Sequence, residues 1–571
     1  MKNRLNSCLI GILAVFVVIM IIGIKDGFSR HQLITPAQDA YRMLYELCGI
    51  SGYGVHSGVH PGPKADKAAN YILKKLRMEG LRNAHLEPFQ ITNAFPGNFR
   101  MTVKVEGEGA AKAIAGHPLL WTVGTSDAGI TGELAYVHYG AESDFNLVNV
   151  AGKIALIDER SFRHSGTAGF YGGVTRAKDN GAIAVILAEE QMDGPKMKWQ
   201  PGSETSLFPI PCFSVGKSAA SYLRELALSG KSHEVKYMVK FPYNVANVYN
   251  VVAELPGNGK SDEVILVGTH YDTVFTGAID NMASVALMIK WAGYFADKPK
   301  KERNRNMIFT FCIGHDTFNG NAGHKQFGEL HADQLTKAIV WDVDHAAGGI
   351  RYVEGSNGLE PTNETNELYT IANNYTFSRL ASFYLDKYGY VNTIDQFRSP
   401  GSGPNGGIAP TSSPWVNAAA IPRVYHSTQD TPEKITLKQM ERAYAAHIEI
   451  LEAVDRTPEG FLRYDTLDKT RSNTPPVVKI DVLDDTVAVG DTVIVGNDDK
   501  VFSDDKTCYR YPGVPEWAYL KWDWGDGTTT LGSGTPATHV YAAPGDYTIT
   551  MSMTDTEGAT STDTCIIHVS P

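Results

Sequence analysis

Four apolar segments, each ending in His or Asp, constrain the fold of this chain more than any other feature. They are EVILVGTHYD, MIFTFCIGHD, AIVWDVDH and IPRVYHSTQDT, which supply His270 and Asp272, His315 and Asp316, Asp342 and Asp344, and His426. Short apolar runs of this kind are typical of buried strands, and here they alternate with helical periodicity. Open α/β sheets bind ligands at the carboxyl ends of their strands. The pattern therefore predicts one sheet edge at which carboxylates and imidazoles converge.

A helix contributes one more acidic side chain to this edge. The segment GAIDNMASVALMIKWAGYFA places Asp280 just before an amphipathic helix whose apolar positions include Ala283, Leu287 and Trp291. A single His or Asp at a strand end is usually a turn residue, but this ordered series favours a metal centre. Nitrogen and oxygen donors without a thiolate suit zinc, or less specifically manganese or cobalt. Cys312 lies inside an apolar strand and is expected in the core.

Two motifs carry a resemblance to a known family. GTHYDTVFTGAIDNMAS and HSTQDTPEKI resemble the co-catalytic di-zinc aminopeptidases related to glutamate carboxypeptidase and the transferrin receptor, over about residues 37–454. The resemblance implies two zinc ions, with one as the alternative. His270 and Asp344 would bind one zinc, His426 the other, and Asp280 would lie between them. The resemblance also implies that Asp272 orients His270. Asp342 is the alternative to Asp344.

The chain departs from that family at a Glu-Glu pair, whose first member is the general base and whose second binds zinc. The alternation along the preceding strand puts His315 in the base position and Asp316 in the ligand position. Sliding the register by one residue would make Asp316 the base and Thr317 the ligand. We prefer the first register because it keeps every ligand chemically competent. Neutral imidazole can accept a proton, although nearby zinc would lower its pKa and weaken it as a base.

The expected fold class is α/β, a mixed sheet flanked by helices, with an inserted α+β domain and a C-terminal all-β sandwich. GKIALIDERSF and RAKDNGAIAVILA resemble a protease-associated (PA) domain, and WDWGDGT with HVYAAPGDYTITMSMTD resembles a PKD-type domain. TRSNTPP is the expected linker, since adjacent prolines continue neither helix nor strand. The expected ranges are 1–30 for an anchor or export signal, 37–115 and 243–458 for the peptidase domain, 116–242 for the PA-like domain, 459–474 for the linker and 475–571 for the PKD-like domain.

The PKD-like region also raises a question of cysteine pairing. Cys508 and Cys565 form a disulfide if this region lies outside the cytoplasm, and buried free thiols are the alternative. Trp522 and Trp524 flank Asp523, so both indole rings are expected on one face, in the core.

The amino end predicts where the protein is located. Lys2 and Arg4 precede an uncharged apolar run at residues 8–24. Such a run extends about 25 Å as a helix, close to the thickness of a bilayer core. We expect a membrane anchor, with a cleaved export signal as the alternative. In either case the residues after about 30 lie outside the cytoplasm.

Composition narrows the function. The 571 residues include 63 acidic and 52 basic side chains, a formal charge of −11, with no long basic run, which argues against nucleic acid as a partner. Ser427 lacks the G-x-S-x-G setting of a serine hydrolase. The sequence predicts an extracytoplasmic metal-dependent aminopeptidase acting on peptide or protein substrates. The alternatives are a glutaminyl cyclase-like acyl transferase with one zinc and a non-catalytic receptor or adhesion protein, which the presence of His315 favours.

Overall fold

The structure is a computed structural model of the chain. It describes residues 34–95, 97–120, 122–159, 167–189, 192, 194, 207–241, 243–316, 320–355, 358–365, 367–397, 407–410, 413–420, 422, 424–463, 478, 480–482, 484–497, 519–531, 537–554 and 560–571. Within these ranges no helix has both the length and the apolar character that a bilayer crossing requires. The apolar run at 8–24, on which the expected anchor or export signal rests, lies outside the described residues.

The described chain begins with two helices and an edge strand. They are α1 (Pro36–Ser51), α2 (Pro63–Met78) and β1 (His85–Ala94). The hydroxyl of Thr35 accepts a hydrogen bond from the Gln38 amide, and the Gln38 side chain accepts one from the Thr35 amide. This reciprocal cap satisfies amides that the first helical turn leaves unpaired.

The next region forms two small sheets with three helices. Its elements are β2 (Phe99–Val105), β3 (Lys112–Ile114), β4 (His117–Pro118), β5 (Ile130–Gly132), β6 (Leu134–Tyr136), α3 (Glu142–Leu147), β7 (Ile154–Glu159), α4 (Thr167–Asp179), β8 (Ala184–Glu189), β9 (Cys212–Val215), α5 (Lys217–Leu228) and β10 (His233–Val239). The strand orders are β3-β2-β10-β5 and β4-β9-β8-β7-β6. Leu156, Ile186 and Phe213 are buried in the core of this region.

The chain then builds the main sheet. Its elements are β11 (Tyr243–Leu255), β12 (Val264–His270), α6 (Ala283–Asp297), β13 (Asn306–Cys312), α7 (Ala322–Leu330), β14 (Ala338–Asp342), β15 (Ile350–Gly355), β16 (Gly358–Thr365), β17 (Glu367–Ala372), α8 (Tyr375–Lys387), β18 (Val391–Phe397), β19 (Trp415–Ala419) and α9 (Leu437–Arg456). With β1, seven of these strands form an eight-stranded mixed sheet in the order β1-β11-β13-β12-β14-β19-β17-β18. Strands β13, β12, β14 and β19 run parallel to one another.

Strand β12 is apolar from Val264 to Gly268 because both faces of the sheet are covered. Ile265 and Val267 belong to the larger core, whereas Leu266 packs in a second core that includes Phe327 from α7. All seven residues of β12 are buried. Parallel strands covered on both faces read as continuous apolar runs. The four parallel strands therefore end at one edge of the sheet, as the sequence predicts.

The C-terminal region contains strands only, among the residues described there. They are β20 (Ile480–Val482), β21 (Thr486–Ala488), β22 (Thr492–Asn497), β23 (Tyr519–Asp523), β24 (Thr529–Leu531), β25 (Ala537–Val540), β26 (Gly545–Thr554) and β27 (Thr560–Ser570). They form sheets of three and five strands, and Trp522 and Trp524 are both buried between neighbours in the core, as predicted. Cys508 lies outside the described residues, so its pairing with the half-buried Cys565 stays a prediction.

The predicted fold class is confirmed: a mixed α/β sheet flanked by helices, with an inserted α+β domain and a C-terminal region of strands.

Candidate metal centre

Asp280 lies between two histidines that come from different strands. Its Oδ1 is 3.2 Å from Nε2 of His270, and its Oδ2 is 2.7 Å from Nε2 of His426. His270 is the last residue of β12, and His426 follows β19. All three side chains are at most 2% exposed. One carboxylate thus faces an imidazole with each of its oxygens.

The five ligands predicted from the sequence meet around this carboxylate. Two sets of three donor residues have their donor atoms within 4.8 Å of one another: His270, Asp280 and Asp344, and Asp280, Asp316 and His426. Asp280 belongs to both sets, which is the arrangement expected of a residue that bridges two metal ions. A third set joins His270 and Asp316 to Asp272. That these residues bind metal remains a prediction.

The unpaired atoms of the cluster fit a bound cation. Among the described residues, neither carboxylate oxygen of Asp316 has a hydrogen-bond partner, and the carboxylate oxygens of Asp280 face only imidazole nitrogens. Buried charges without partners are costly unless a counter-charge or a metal ion compensates them. Imidazole nitrogens with carboxylate oxygens are a donor set that zinc accepts. The residues present therefore fit zinc.

The loop that carries Asp280 depends on a glycine and on a second aspartate. Gly277 has φ 63°, and a Cβ there would lie 2.4 Å from the carbonyl oxygen of Asp280. The carboxylate of Asp430 accepts hydrogen bonds from the amides of Ile279 (2.8 Å) and Asp280 (3.2 Å). Burial raises the pKa of Asp430 to about 7. Sequence reasoning missed Asp430, although it stands in the HSTQDT motif four residues after His426.

Asp272 holds two residues of the cluster through different groups. Nδ1 of His270 is 3.0 Å from the main-chain oxygen of Asp272 and 3.6 Å from its carboxylate. The other carboxylate oxygen accepts a hydrogen bond of 2.8 Å from the amide of Asp316. The main chain of Asp272 therefore orients the imidazole, and its carboxylate fixes the start of the segment that carries Asp316.

His315 lies beside the cluster with a defined tautomer. Its Nδ1 donates to Oδ1 of Asn321 at 2.6 Å, which makes Nε2 the acceptor nitrogen, and its ring centroid is 4.3 Å from that of His270. Burial, and then the neighbouring His270, lowers the pKa of His315, which favours the neutral ring. Asp316 lies among the candidate metal donors, whereas Thr317, the ligand in the alternative register, is outside the described residues.

The segment after β14 separates the two candidate aspartates and adds a histidine. The carboxylate of Asp342 accepts a hydrogen bond from Nε1 of Trp415 (3.2 Å), whereas Oδ1 of Asp344 is 3.4 Å from Nε2 of His270. His345, which the sequence analysis did not select, points Nε2 at Asp344 and Asp280. Its only signal in the sequence was its place next to Asp344. Burial lowers the pKa of His345, but these two carboxylates raise it to about 9.

Burial and neighbouring charges shift the pKa values of two carboxylates of the centre in opposite directions. Burial raises the pKa of Asp280, but His345 and His270 outweigh it and hold that pKa well below its ordinary value. Burial raises the pKa of Asp316 well above its ordinary value, and the nearby charge of Asp280 adds to the shift. A cation between these two carboxylates would remove their mutual repulsion.

Comparison with known families finds the three kinds of domain that the sequence predicts, namely a peptidase, a PA and a PKD domain. Residues 250–451 match the model of peptidase family M28, residues 130–223 match the PA domain, and residues 486–567 match the PKD domain. The chain thus contains a region similar to peptidase family M28, with a PA-like region before it and a PKD-like region after it. The predicted resemblance to this peptidase family, and to PA and PKD domains, is confirmed.

Individual relatives are distant. Carboxypeptidase Q of Xenopus laevis is 26% identical over 286 residues, which are 48% of this chain and 59% of the relative. The mouse protein of the same name (Mus musculus) is 25% identical over 311 residues, 52% of this chain and 64% of the relative. The chain thus spans about three fifths of the length of these curated relatives.

Solved structures share the fold. BSAP, a zinc aminopeptidase from Bacillus subtilis, aligns with a TM-score of 0.54 at 18% identity and covers 76% of this chain and 98% of that one. A peptidase M28 precursor from Shewanella amazonensis aligns with a TM-score of 0.56 at 19% identity, covering 74% and 96%. At these identities the similarity establishes the fold.

Proposed function

We propose that this protein is an extracytoplasmic aminopeptidase that removes amino-terminal residues from peptides with a two-zinc centre. The observation that carries the proposal is the position of Asp280, whose two carboxylate oxygens face His270 and His426. A carboxylate in this position can hold one metal ion with each oxygen. The peptidase family M28 match over residues 250–451 supports peptide-bond hydrolysis as the reaction.

The chain's own residues would bind the two zinc ions and accept a proton. His270 and Asp344 would hold one zinc, Asp316 and His426 the other, and Asp280 both. Bound zinc supplies a polarised carbonyl and a water of lowered pKa. The neutral ring of His315 would accept a proton at Nε2, because Asn321 occupies its Nδ1–H. A free substrate amine would find negative charge among the buried carboxylates of the centre.

The amino-terminal sequence and the additional domains support action outside the cytoplasm. The apolar run at 8–24 follows two basic residues, as in a membrane anchor or an export signal. The PA region lies before the metal-binding half of the chain, where an inserted domain can shape the entrance to the centre. Peptides outside the cytoplasm are therefore the proposed substrates.

The proposal is tested with aminoacyl chromogenic substrates and the purified full-length protein. We expect hydrolysis that a chelator abolishes and that added zinc restores, and no hydrolysis when the substrate amine is acetylated. Asp280→Asn should be inactive, because the bridging carboxylate becomes a neutral amide. Equal hydrolysis of the acetylated substrate would contradict an aminopeptidase, and zinc-independent hydrolysis would contradict the centre.

One observation favours a second candidate, a non-catalytic receptor or adhesion protein. His315 stands where the resembling family has a glutamate base, and its pKa is lowered by burial, which weakens it as a base. Such a protein would bind metal and lack hydrolysis of any aminoacyl substrate, whereas a one-zinc acyl transferase would bind a single equivalent. Metal content and activity together separate the three functions.

A further inference from the structure

His345 is a buried histidine of the centre that the predicted ligand set leaves out. Its Nε2 lies 3.4 Å from Oδ1 of Asp280 and 3.3 Å from Oδ1 of Asp344. Nε2 of His270 lies 3.2 Å and 3.4 Å from the same two oxygens. The four donor atoms therefore form a ring in which imidazole nitrogens alternate with carboxylate oxygens.

The four contacts along this ring match the spacing between neighbouring ligands of a cation. Zinc bonds of about 2.0–2.1 Å at tetrahedral angles place neighbouring donors about 3.3–3.4 Å apart. Direct hydrogen bonds between an imidazolium and a carboxylate are shorter, at about 2.7–2.9 Å. The contact of His426 with Oδ2 of Asp280 has that shorter length, 2.7 Å, whereas all four contacts of the ring are between 3.2 and 3.4 Å.

The backbone holds His345 in an unusual conformation. Its φ is 50°, in the left-handed region that few non-glycine residues adopt. The amide of His345 donates to Oδ1 of Asn281 at 3.1 Å, and Nδ2 of Asn281 donates to Asp344 at 2.7 Å. One asparagine thus fixes both consecutive residues. Strained conformations persist where the surrounding structure enforces them, and they cluster at functional sites.

From this spacing and this backbone we infer that His345 is a fourth protein ligand of the metal position formed by His270, Asp280 and Asp344. The inference rests on the proposed function, because it requires that position. With Nε2 of His345, the three ligands predicted there become a closed set of two nitrogens and two oxygens. Sites with four protein ligands resemble structural zinc sites, whereas three ligands leave a position open. The other metal position, with the three predicted ligands Asp280, Asp316 and His426, is then the one that stays open to water and substrate.

The test compares two histidines that both have a positive φ. His345→Asn removes the imidazole and keeps a residue that tolerates positive φ. His138→Asn is the matched control, because His138 also has positive φ (44°) and is an exposed residue of the PA region. The metal-free full-length proteins are titrated with Co²⁺, whose visible spectrum reports its coordination, and with Zn²⁺ against a chromophoric chelator. Thermal unfolding without metal checks that each variant is folded.

The expected result is specific to one of two metal equivalents. Wild type and His138→Asn should bind two, while His345→Asn should bind one of them at least about tenfold more weakly, with an altered Co²⁺ spectrum. His345→Gly should recover the wild-type spectrum when free imidazole is added, since glycine accepts the backbone and leaves space for the ring.

Three outcomes would overturn the inference. If His345→Asn binds both equivalents with wild-type affinity, His345 is not a ligand. Tighter binding by the variant would mean that His345 neutralises the carboxylates and competes with the metal. A wild-type protein that takes up no metal would overturn the inference and the proposed function together, whereas the first two results leave the proposed function standing.

Discussion

The carboxylate of Asp280 contacts His426 at 2.7 Å, although the two residues come from segments that are far apart in the chain. The parallel order of β12, β14 and β19 brings their following segments to one sheet edge, and the loop before α6 inserts Asp280 there. Amides of that loop are held by Asp430, which follows His426 in the same motif. The GAIDN and HSTQDT motifs are thus physically joined at the centre.

The first prediction separates two neighbouring buried aspartates. Asp344→Asn should lose one of two zinc equivalents and at least about 10²-fold in activity, because an amide is a poorer ligand than a carboxylate. Asp342→Asn is the control, since an asparagine oxygen can still accept the hydrogen bond of Trp415. Zinc content by plasma mass spectrometry and aminopeptidase assays measure both effects. Loss of zinc in the Asp342 variant alone would reverse the assignment.

The second prediction concerns the proposed base. His315→Ala should retain two zinc ions and lose about 10²–10⁴-fold in kcat, the usual contribution of a positioned base. His315→Glu restores the residue type of the resembling family and should be active. Steady-state kinetics with parallel zinc analysis provide the measurement. Unchanged kcat in His315→Ala would remove His315 from the mechanism.

The third prediction concerns a buried ion pair at the amino ends of β12 and β13. Arg305 donates to the carboxylate of Glu263 at 2.6 Å, and both side chains are 1% exposed. Glu263→Gln leaves a buried guanidinium without its counter-charge and should lower the free energy of unfolding by about 3–5 kcal/mol. Arg351→Gln breaks a pair with Glu364 that is more than half exposed, so its effect should be below about 1 kcal/mol. Chemical denaturation of both variants tests the contrast.

The fourth prediction is a pH dependence of stability that comes from Glu452 on α9. Burial raises the pKa of this carboxyl, but Lys298, Tyr294 and Arg456 outweigh it and lower the pKa from 4.5 to about 2. A depressed pKa stabilises the folded state above pH 4.5, and this contribution is lost as the pH falls towards 2.

Glu452→Gln should therefore destabilise the protein at pH 7 by about 1–3 kcal/mol, with the difference from wild type shrinking below pH 4.5. Denaturant unfolding at a series of pH values measures the difference. Lys438→Gln is a suitable control, because its contact with Glu441 is exposed and long, at 4.0 Å. A difference between Glu452→Gln and wild type that does not change with pH would contradict the role of the carboxylate charge.

Sequence reasoning reached the residues whose position follows from strand direction. His270, Asp316, Asp344 and His426 come at or just beyond the ends of parallel strands, so an apolar run followed by a donor predicts their convergence. It missed His345 because the direction of that side chain depends on a left-handed backbone angle, which an Ala-rich and Gly-rich segment does not specify. The burial of the strands followed from their continuous apolar runs, and the burial of the paired tryptophans followed from alternation. Both are local properties of the sequence.

Sequence reasoning also did not predict the hydrogen bonds that join different loops. Asp430 and Asn281 act on main-chain amides of distant residues, and nothing in their immediate sequence indicates which amide lies opposite. Asp272 shows the same limit, because its carbonyl rather than its carboxylate makes the shorter contact with His270. Such roles depend on three-dimensional loop geometry, which residue type and spacing alone do not encode.

The most direct test of the central claim is an anomalous difference map at the zinc edge, from crystals of the protein grown with zinc. If Asp280 bridges two zinc ions, the map will show two peaks that share Asp280, one among His270, Asp344 and His345 and the other among Asp316 and His426. A map with no peak beside Asp280, or with a zinc ion held only elsewhere in the chain, would contradict this claim.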